Sequence, residues 1–139
     1  MAKSWRKSFG RWGEAQAANY LVERGYKIID RNVYTPYGEI DLIALADPGK
    51  LDSPELGEFS EGPVLVFVEV KTRSSYAYGY PEDSIGSKKA EHMQAAAEAY
   101  LQTHPELEIP WRVDVIAIQR NSLKESPIIT HFENAIGGN

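Results

Sequence analysis

The chain has 139 residues, of which 42% are hydrophobic and 25% are charged, and these values indicate one folded domain over residues 1–139 rather than a disordered chain. No apolar run reaches about 18 residues, and the N-terminus lacks the apolar core of a secretion signal, so we expect a cytoplasmic protein without membrane contact. Cysteine is absent, so only oxygen or histidine ligands can hold a metal. The net charge of −5 is segregated: residues 47–62 carry five acids and one lysine (−4) whereas residues 1–13 carry four cations and no acid (+4), so the overall acidity does not exclude a polyanionic partner.

The first predicted element is a helix over about Ser8 to Arg24, ended by Gly25, a residue type that commonly stops helices in a left-handed conformation. Two strands follow it, with the sequences YKIIDRNVY and GEIDLIALA, and both are rich in β-branched or aromatic residues. The segment 47–62 contains proline and glycine and is too long for a tight hairpin. We interpret it as an acidic surface insertion.

The second half of the chain contains one further helix and three strands. The third strand reads PVLVFVEVKTR, and after a loop the helix SKKAEHMQAAAEAYLQTH follows and is stopped by Pro105. The fourth and fifth strands read WRVDVIAIQ and PIITHFENA. The predicted order is therefore α, β, β, β, α, β, β, without an internal repeat.

Charged residues interrupt the second and third predicted strands. Alternate residues of a strand share a face, so Glu69, Lys71 and Arg73 are expected on one side of the third strand. By the same rule Glu39 and Asp41 share a face of the second strand. If the two strands pair, carboxylates and an ammonium group meet on one side of the sheet. Burying such charges is costly unless they are paired or bind a metal.

Each predicted helix also carries one charged residue on its apolar stripe. At roughly 100° per residue, Glu14 falls close to Leu21 and Ala18, and Lys89 falls close to Ala96 and other apolar residues of the second helix. We therefore expect both charged side chains to face the sheet and to join the strand acids on one face.

A cluster of this composition suits phosphodiester hydrolysis. Hard cations such as Mg²⁺ or Mn²⁺ take carboxylate, carbonyl and water oxygens as ligands. We predict that Asp41 and Glu69 bind the metal and that the carbonyl of Val70 adds a ligand. Lys71 is then the catalytic cation, which steadies the attacking water or offsets charge on phosphorus. The role of Glu39 is not distinguished from a supporting one.

These residues resemble the PD-(D/E)XK nuclease superfamily, whose motif is an acid, a variable gap, and then an acid, any residue and lysine. The motif corresponds here to Asp41 followed by Glu69-Val70-Lys71. More narrowly, the chain resembles the YraN-type family, which is similar to archaeal Holliday junction resolvases. The matching segments are GRWGEAQAANYL, GYKIIDRNVYTPYGEIDLIA, VFVEVKTR, YGYPEDSI, WRVDVIAI and ITHFENAI.

The resemblance implies an α/β fold with the restriction-endonuclease-like αβββαβ core, a mixed central sheet flanked by helices. It also implies that Glu14 contributes to the metal site and that Lys89 is a polar residue of the second helix near it. The expected activity is an Mg²⁺- or Mn²⁺-dependent nuclease acting on DNA, in branched or structured form. A homodimer is kept open, because resolvase-like proteins cut two strands. The catalytic candidates are Glu14, Asp41, Glu69, Lys71 and Lys89.

Structural interpretations stand beside these functional ones. Asp41, Glu69 and Lys71 also fit a solvent-facing ion pair on the polar face of an antiparallel sheet. Glu14 also fits a first-turn glutamate favoured by the helix dipole, and Lys89 a lysine that extends past apolar neighbours to water. The alternative function is a catalytically idle nucleic-acid-binding module of the same fold.

Further polar residues divide into candidates for nucleic-acid contact and candidates for structure. Trp5 and Trp12 alternate with basic residues and would stack on bases while the cations contact phosphates; the alternative is a floppy basic arm with Trp12 in the core. For Asp114 we favour pairing with a nearby arginine over support of the metal ligands. His92, His104 and His131 show no metal-ligand spacing. The candidates for phosphate contact are Lys3, Arg6, Lys7, Arg11 and Arg73.

Overall fold

The computed structural model describes residues 2–47, 62–74, 87–122 and 124–135, without the side chains of residues 2–6, 87 and 88. The predicted acidic insertion, apart from its two end residues, and the side chains of Lys3, Trp5 and Arg6 therefore lie outside the described part. The elements in chain order are α1 (Ala2–Glu23), β1 (Lys27–Thr35), β2 (Gly38–Ala46), β3 (Val64–Arg73), α2 (Ser87–Gln102), a short 3-10 helix (Pro105–Leu107), β4 (Trp111–Gln119) and β5 (Ile128–Phe132).

The five strands form one mixed sheet in the order β1-β2-β3-β4-β5. The pairs β1/β2, β2/β3 and β4/β5 are antiparallel, whereas β3 and β4 are parallel and are connected through α2. From α1 to β4 this is the expected αβββαβ core, and β5 extends the sheet at one edge. The predicted α/β fold with a mixed central sheet flanked by helices is confirmed.

Helix α1 ends as predicted but begins earlier. Gly25 adopts φ 95°, and the amides of Gly25 and Tyr26 donate to the carbonyls of Val22 and Leu21, at 3.1 and 3.0 Å. This pattern closes the helix through a left-handed glycine. The predicted start at Ser8 is wrong, since α1 begins at Ala2. Residues 2–7 contain no proline or glycine and three residues with long basic side chains that favour helix, so no local signal stops the helix there.

The sheet is covered on both faces, and this produces two cores. The core on the α1 face consists of the buried residues Ala17, Ala18, Leu21, Tyr26, Leu42, Ala44, Ala46, Val66, Val68, Ile116 and Ile118. The core on the α2 face consists of Ile40, Ile43, Leu65, Phe67, Ala96, Ala97, Tyr100 and Val113. Residues 113–119 of β4 are all buried, because this strand lies inside the sheet with both faces covered.

Among the described residues, no helix combines the length and apolar character needed to cross a bilayer.

Gly13 allows α1 to approach β3 beside the candidate site. A Cβ atom at Gly13 would overlap the Thr72 side chain, whereas a Cβ at Gly10, one helical turn earlier, would meet nothing within 4 Å. Thr72 directly follows Lys71, and Gly13 directly precedes Glu14. The close approach of α1 to β3 at Gly13 and Thr72 is therefore adjacent in sequence to Glu14 and Lys71, two of the candidate residues.

Gly13→Ala is expected to lower the free energy of unfolding by about 1–3 kcal/mol, because the added methyl group forces α1 away from Thr72. Gly10→Ala is the matched control and is expected to raise it by about 0.5–1 kcal/mol, since alanine favours the helix and has room. Urea denaturation of both variants measures the difference. Equal stability of the two variants would contradict the close approach.

Candidate metal centre and active site

The candidate site lies where β2 and β3 stop pairing. Their antiparallel ladder runs from Ala46 opposite Val64 to Leu42 opposite Val68. Beyond that pair, the Asp41 carboxylate accepts a hydrogen bond of 2.8 Å from the Val70 amide. A side chain therefore satisfies a backbone donor of β3 that the ladder leaves free. This contact places Asp41, the first acid of the predicted motif, against Val70, the middle residue of the triplet Glu69-Val70-Lys71.

The regular alternation of β2 is broken at the same point. Ile40 packs in the core on the α2 face and Leu42 in the core on the α1 face. Residues two apart in a regular strand share a face, so the strand changes its facing between these two positions. Asp41 is the residue at which this change occurs, and it lies between the two covered faces.

Three carboxylates meet at this end of the sheet. Single ligand oxygens of Glu14, Glu39 and Asp41 all lie within 4.8 Å of one another. Glu14 comes from α1 and the other two come from β2. Glu14 and Asp41 are half-buried, whereas Glu39 is exposed. Glu39, which the sequence did not distinguish from a supporting residue, is thus a full member of the cluster.

Asn32 joins two of these acids and was missed by sequence reasoning. Its side-chain amide donates to Glu14 Oε1 at 3.0 Å and to Glu39 Oε1 at 2.9 Å. Asn32 has φ 50°, a left-handed conformation inside β1 that asparagine tolerates better than most residues. A lone asparagine in a strand carries no periodic signal. The only sequence signal for Asn32 is that it lies in GYKIIDRNVYTPYGEIDLIA, one of the segments that carry the family resemblance.

The pKa of Asp41 reflects a buried acid that lies among other acids. Burial raises the pKa of Asp41 to about 7, although the hydrogen bond from the Val70 amide lowers it. The negative charges of Glu69, Glu14 and Glu39 add to this rise in the pKa. A divalent cation among these oxygens would compensate the charge that burial and repulsion now disfavour. The all-oxygen donor set and its excess negative charge therefore fit a hard cation such as Mg²⁺ or Mn²⁺.

Glu69 has a different environment from the three clustered acids. Its Oε1 lies 3.2 Å from Lys71 Nζ and 3.0 Å from Lys89 Nζ, and its side chain is only 9% exposed. Lys71, two residues along β3, and Lys89, from α2, therefore both compensate this buried carboxylate. The structure brings Lys71 and Lys89 together on Glu69. Joint metal ligation by Asp41 and Glu69, and ligation by the Val70 carbonyl, remain predictions.

The five catalytic candidates surround the end of the sheet rather than occupying one face. Glu14 extends from α1, which packs on one face, whereas Lys89 extends from α2 on the other. Glu69 lies on the α2 face, where it pairs with Lys89. The expectation that all the acids and lysines share one face is therefore wrong, because the two helices cover opposite faces. Asp41, at the opening between β2 and β3, is influenced by charge from both sides.

The candidates for nucleic-acid contact occupy two regions. Lys7 and Arg11 are exposed on α1 and, with Glu14, Glu39 and Tyr34, line a hollow of about 290 Å³. Arg73 ends β3 and is half-buried. Contact of these residues with phosphate remains a prediction.

Trp12 packs against the core on the α1 face, as the structural interpretation predicted, but the floppy basic arm of that interpretation is wrong, because the residues before Trp12 belong to α1. Its ring stacks on Phe9 with centroids 5.6 Å apart, and the guanidinium of Arg120 lies 4.4 Å from the ring centroid. The ring therefore has protein partners on more than one side. Trp12 is better described as part of the anchor of α1 than as a free stacking surface.

Asp114 has the structural role that the sequence favoured. It is completely buried and accepts hydrogen bonds from Arg112 at 3.0 and 3.2 Å, from His131 Nε2 at 2.7 Å and from the Asn134 amide at 2.9 Å. Burial alone would raise the pKa of Asp114, but the hydrogen bonds from His131 and Arg112 outweigh it and lower the pKa below its usual value. The pairing with an arginine is confirmed, and His131 is a further partner.

Comparison with known proteins places this chain in a family. The profile of "Uncharacterised protein family UPF0102" matches residues 13–118. This chain belongs to the UPF0102 family. A UPF0102 protein of Syntrophotalea carbinolica is 38% identical over 130 residues, covering 94% of this chain and 92% of that protein. One of Anaeromyxobacter dehalogenans is 39% identical, covering 96% and 87%, and one of Dehalococcoides mccartyi is 34% identical, covering 95% of each.

The UPF0102 assignment confirms the family predicted from the sequence, since the YraN-type group is this family. The matched span of the UPF0102 profile contains the three clustered acids, Asn32, and the Glu69 group with its two lysines. It ends before β5 and therefore before His131. The candidate site lies entirely inside the part of the chain that is similar to the rest of UPF0102.

In this UPF0102 protein, Asn32→Asp is expected to lower the free energy of unfolding by about 1 kcal/mol in metal-free buffer at pH 8, because a donor between two acids becomes another acid. Asn32→Gly keeps the left-handed backbone and removes the donor without adding charge, so a smaller loss is expected. Adding Mg²⁺ in large excess during urea denaturation should reduce the deficit of the aspartate variant only, since a bound cation compensates the added charge. Equal stability of both variants would argue against the bridging role.

Proposed function

We propose that this UPF0102 protein is an Mg²⁺- or Mn²⁺-dependent nuclease of the PD-(D/E)XK type that hydrolyses phosphodiester bonds in DNA, with branched or otherwise structured DNA as its substrate. The observation that supports this most directly is the group of three carboxylates at the parting of β2 and β3. The pair of Glu69 and Lys71, two residues apart on the adjoining strand, supports it further. The resemblance of the acid, gap, acid-x-lysine pattern to that superfamily adds the reaction class.

The residues would divide the work as follows. Glu14, Glu39 and Asp41 would hold the cation, which when bound supplies Lewis-acid polarisation of a phosphate oxygen. Asn32 positions two of these acids through its side-chain amide. Asp41 is fixed by the Val70 amide, which limits the rotation of its carboxylate. These contacts preorganise the oxygens before substrate arrives.

Lys71 would act on the substrate through its positive charge. The Lys71 side chain is 21% exposed, and its ammonium lies 3.2 Å from Glu69 Oε1, so the ion pair holds a side chain that is only partly buried. From that position it opposes negative charge that develops on the phosphate during attack. Lys89 shares the charge of Glu69 from α2 and leaves Lys71 less tightly neutralised. Lys7 and Arg11, on the α1 side, would contact the nucleic-acid backbone on the approach to Glu14.

Cleavage of defined DNA substrates tests the proposal. Linear, nicked and four-way DNA incubated with the protein and Mg²⁺ or Mn²⁺ should give products that disappear in EDTA. Asp41→Ala and Lys71→Ala should each reduce the rate by at least about 10²-fold. Lys124→Ala is the control, since Lys124 is exposed in the β4–β5 connection. Products formed without metal, or no products on any substrate, would overturn the proposal.

A catalytically idle nucleic-acid-binding module is the second candidate. It is favoured by the ion pairing of both lysines to Glu69, which engages the ammonium proposed for catalysis. A gel-shift experiment combined with the cleavage assay distinguishes the nuclease from the catalytically idle module. Binding that survives Lys71→Ala without any cleavage, and weakens steeply with salt through Lys7 and Arg11, would favour the module. A homodimer stays a prediction that sedimentation of the free and DNA-bound protein measures.

A further inference from the structure

We propose that Tyr34 and Tyr37, on the β1–β2 hairpin, stack on unpaired bases of a nucleic acid, so that the protein prefers DNA with unpaired bases beside the bound phosphate over intact duplex. This inference rests on the proposed function for its nucleic-acid partner. It concerns recognition, however, and is tested by binding rather than by cleavage.

The two tyrosines are exposed to an unusual extent for aromatic residues so close to a polar site. Tyr34 is 80% and Tyr37 is 53% exposed, and both lie within five residues of Glu39 in sequence. The other large apolar residues that are strongly exposed in the described part are Val22 and Ile128, on other elements. Single exposed apolar residues are common on protein surfaces. Two rings on one hairpin, beside a charged cluster, call for a specific partner.

The hairpin presents these rings on a fixed support. The hydroxyl of Thr35 donates to the Gly38 carbonyl at 2.8 Å, and the Tyr37 amide donates to that hydroxyl at 3.1 Å. Gly38 has φ 133°, a conformation that favours glycine. Tyr34 lies directly opposite Glu39 in the β1–β2 register. The backbone that carries both rings is therefore tied to the strand that carries the acids, and little ordering is needed when a ligand binds.

Tyr34 and Tyr37 line two hollows that have Glu39 in common. Tyr34 lines the hollow of about 290 Å³ on the α1 side together with Lys7 and Arg11. Tyr37 lines a hollow of about 160 Å³ on the α2 side together with Lys89. Glu39 lines both hollows. Each aromatic ring is thus accompanied by at least one cation and by an acid of the candidate site.

This combination of groups identifies the chemistry of the partner. The cations complement an anionic backbone, and the exposed rings complement flat apolar faces attached to it. Unpaired nucleotides provide both, since bases without a stacking neighbour pack on aromatic side chains while the phosphates contact lysine and arginine. An intact duplex provides only the backbone, because its base faces are covered by one another. Glu14 and Glu39 repel phosphate, so binding is expected to strengthen when Mg²⁺ compensates them.

Binding to two fluorescent DNA probes tests the inference. The probes are a duplex of about 30 base pairs and the same duplex interrupted by about five unpaired thymidines. Both are titrated in Mg²⁺ with the Lys71→Ala protein, so that cleavage does not complicate the measurement. We expect the probe with unpaired thymidines to bind about tenfold more tightly than the uninterrupted duplex. Tyr34→Leu and Tyr37→Leu should each reduce that ratio several-fold, and the double variant should reduce it to about one.

Two controls separate stacking from other effects. Tyr34→Phe and Tyr37→Phe keep the aromatic ring and should keep the preference for the probe with unpaired bases. Val22→Ala changes an exposed apolar residue on another element and should leave the affinity for each probe unchanged. Circular dichroism checks that the leucine variants are folded, as expected for exposed positions. Lys7→Ala and Arg11→Ala should weaken both probes by similar factors, because backbone contact does not depend on unpaired bases.

Each outcome decides between defined alternatives. The inference is overturned if the Lys71→Ala protein with both tyrosines present binds the two probes equally well. It is also overturned if the preference for unpaired bases survives when both tyrosines are replaced by leucine. A preference that depends on the tyrosines, in a protein that cleaves no DNA, supports the inference and overturns only the proposed nuclease activity. Failure to bind either probe at low salt overturns both.

Discussion

Asp41→Asn is expected to stabilise the metal-free protein at pH 8 while abolishing the proposed Mg²⁺ binding and the proposed cleavage. Burial and the neighbouring acids raise the pKa of Asp41 to about 7, so its ionised form is disfavoured in the folded protein. Asparagine removes the charge but can still accept the hydrogen bond from the Val70 amide. The same substitution deletes the acid at the centre of the carboxylate cluster. A gain in stability combined with a loss of function is typical of a residue retained for its activity.

The pH dependence of this effect follows from the direction of the shift. The pKa of Asp41 lies above the value of 3.8 for an unperturbed aspartate, so the unfolded chain ionises first as pH rises. The folded protein therefore loses stability from Asp41 between about pH 4 and pH 7, and the penalty is constant above that range. The advantage of Asp41→Asn should be small at pH 4 and reach on the order of 3 kcal/mol at pH 8.

Urea denaturation in EDTA at several pH values measures this advantage. Adding Mg²⁺ well above its dissociation constant should raise the free energy of unfolding of the wild type by about 1–3 kcal/mol and leave the asparagine variant unchanged. Glu98→Gln, at an exposed acid of α2, is the control and should keep the gain in the free energy of unfolding on addition of Mg²⁺. An Asp41→Asn variant that is no more stable than wild type at pH 8 would refute the electrostatic account of the site.

Asp114→Asn is expected to lower the free energy of unfolding by about 3–5 kcal/mol at neutral pH. The change removes the negative charge that compensates Arg112, whose side chain is only 12% exposed, and weakens the hydrogen bond from His131. The isosteric amide introduces no cavity, so the loss reports on charge and hydrogen bonding. Thermal and urea denaturation measure it.

The pH dependence of this variant should run opposite to that of Asp41→Asn. The pKa of Asp114 is lowered by its partners, so its stabilisation is complete above the unfolded value and is lost as pH falls through the folded one. The deficit of Asp114→Asn should therefore shrink only at acidic pH. Asp30→Asn is the control, because Asp30 is partly exposed and accepts a 3.4 Å hydrogen bond from Tyr100. A similar loss in both variants would contradict the importance of the buried network.

The order of elements was predictable because it depends on local patterns. Each strand carries a run of β-branched and aromatic residues, and α1 ends at a glycine that only needs a left-handed conformation. The inward position of Glu14 was also local information, since its neighbours on the stripe, Ala18 and Leu21, are buried. The start of α1 was not predictable, because residues 2–7 contain neither a breaker nor a distinctive cap.

The two helices, the five strands and a concentration of acids and lysines near the start of β2 and the end of β3 follow from local sequence patterns. How those charges combine depends on long-range packing. Asp41 lies close to Glu14 and Glu39, which Asn32 bridges, because the pairing of β2 with β3 ends at Leu42 and Val68, which is a property of long-range pairing. Glu69 instead meets two lysines on the opposite face. A strand's own period specifies which residues share a face, but the break at Asp41 and the placement of the helices on opposite faces depend on packing across the whole sheet.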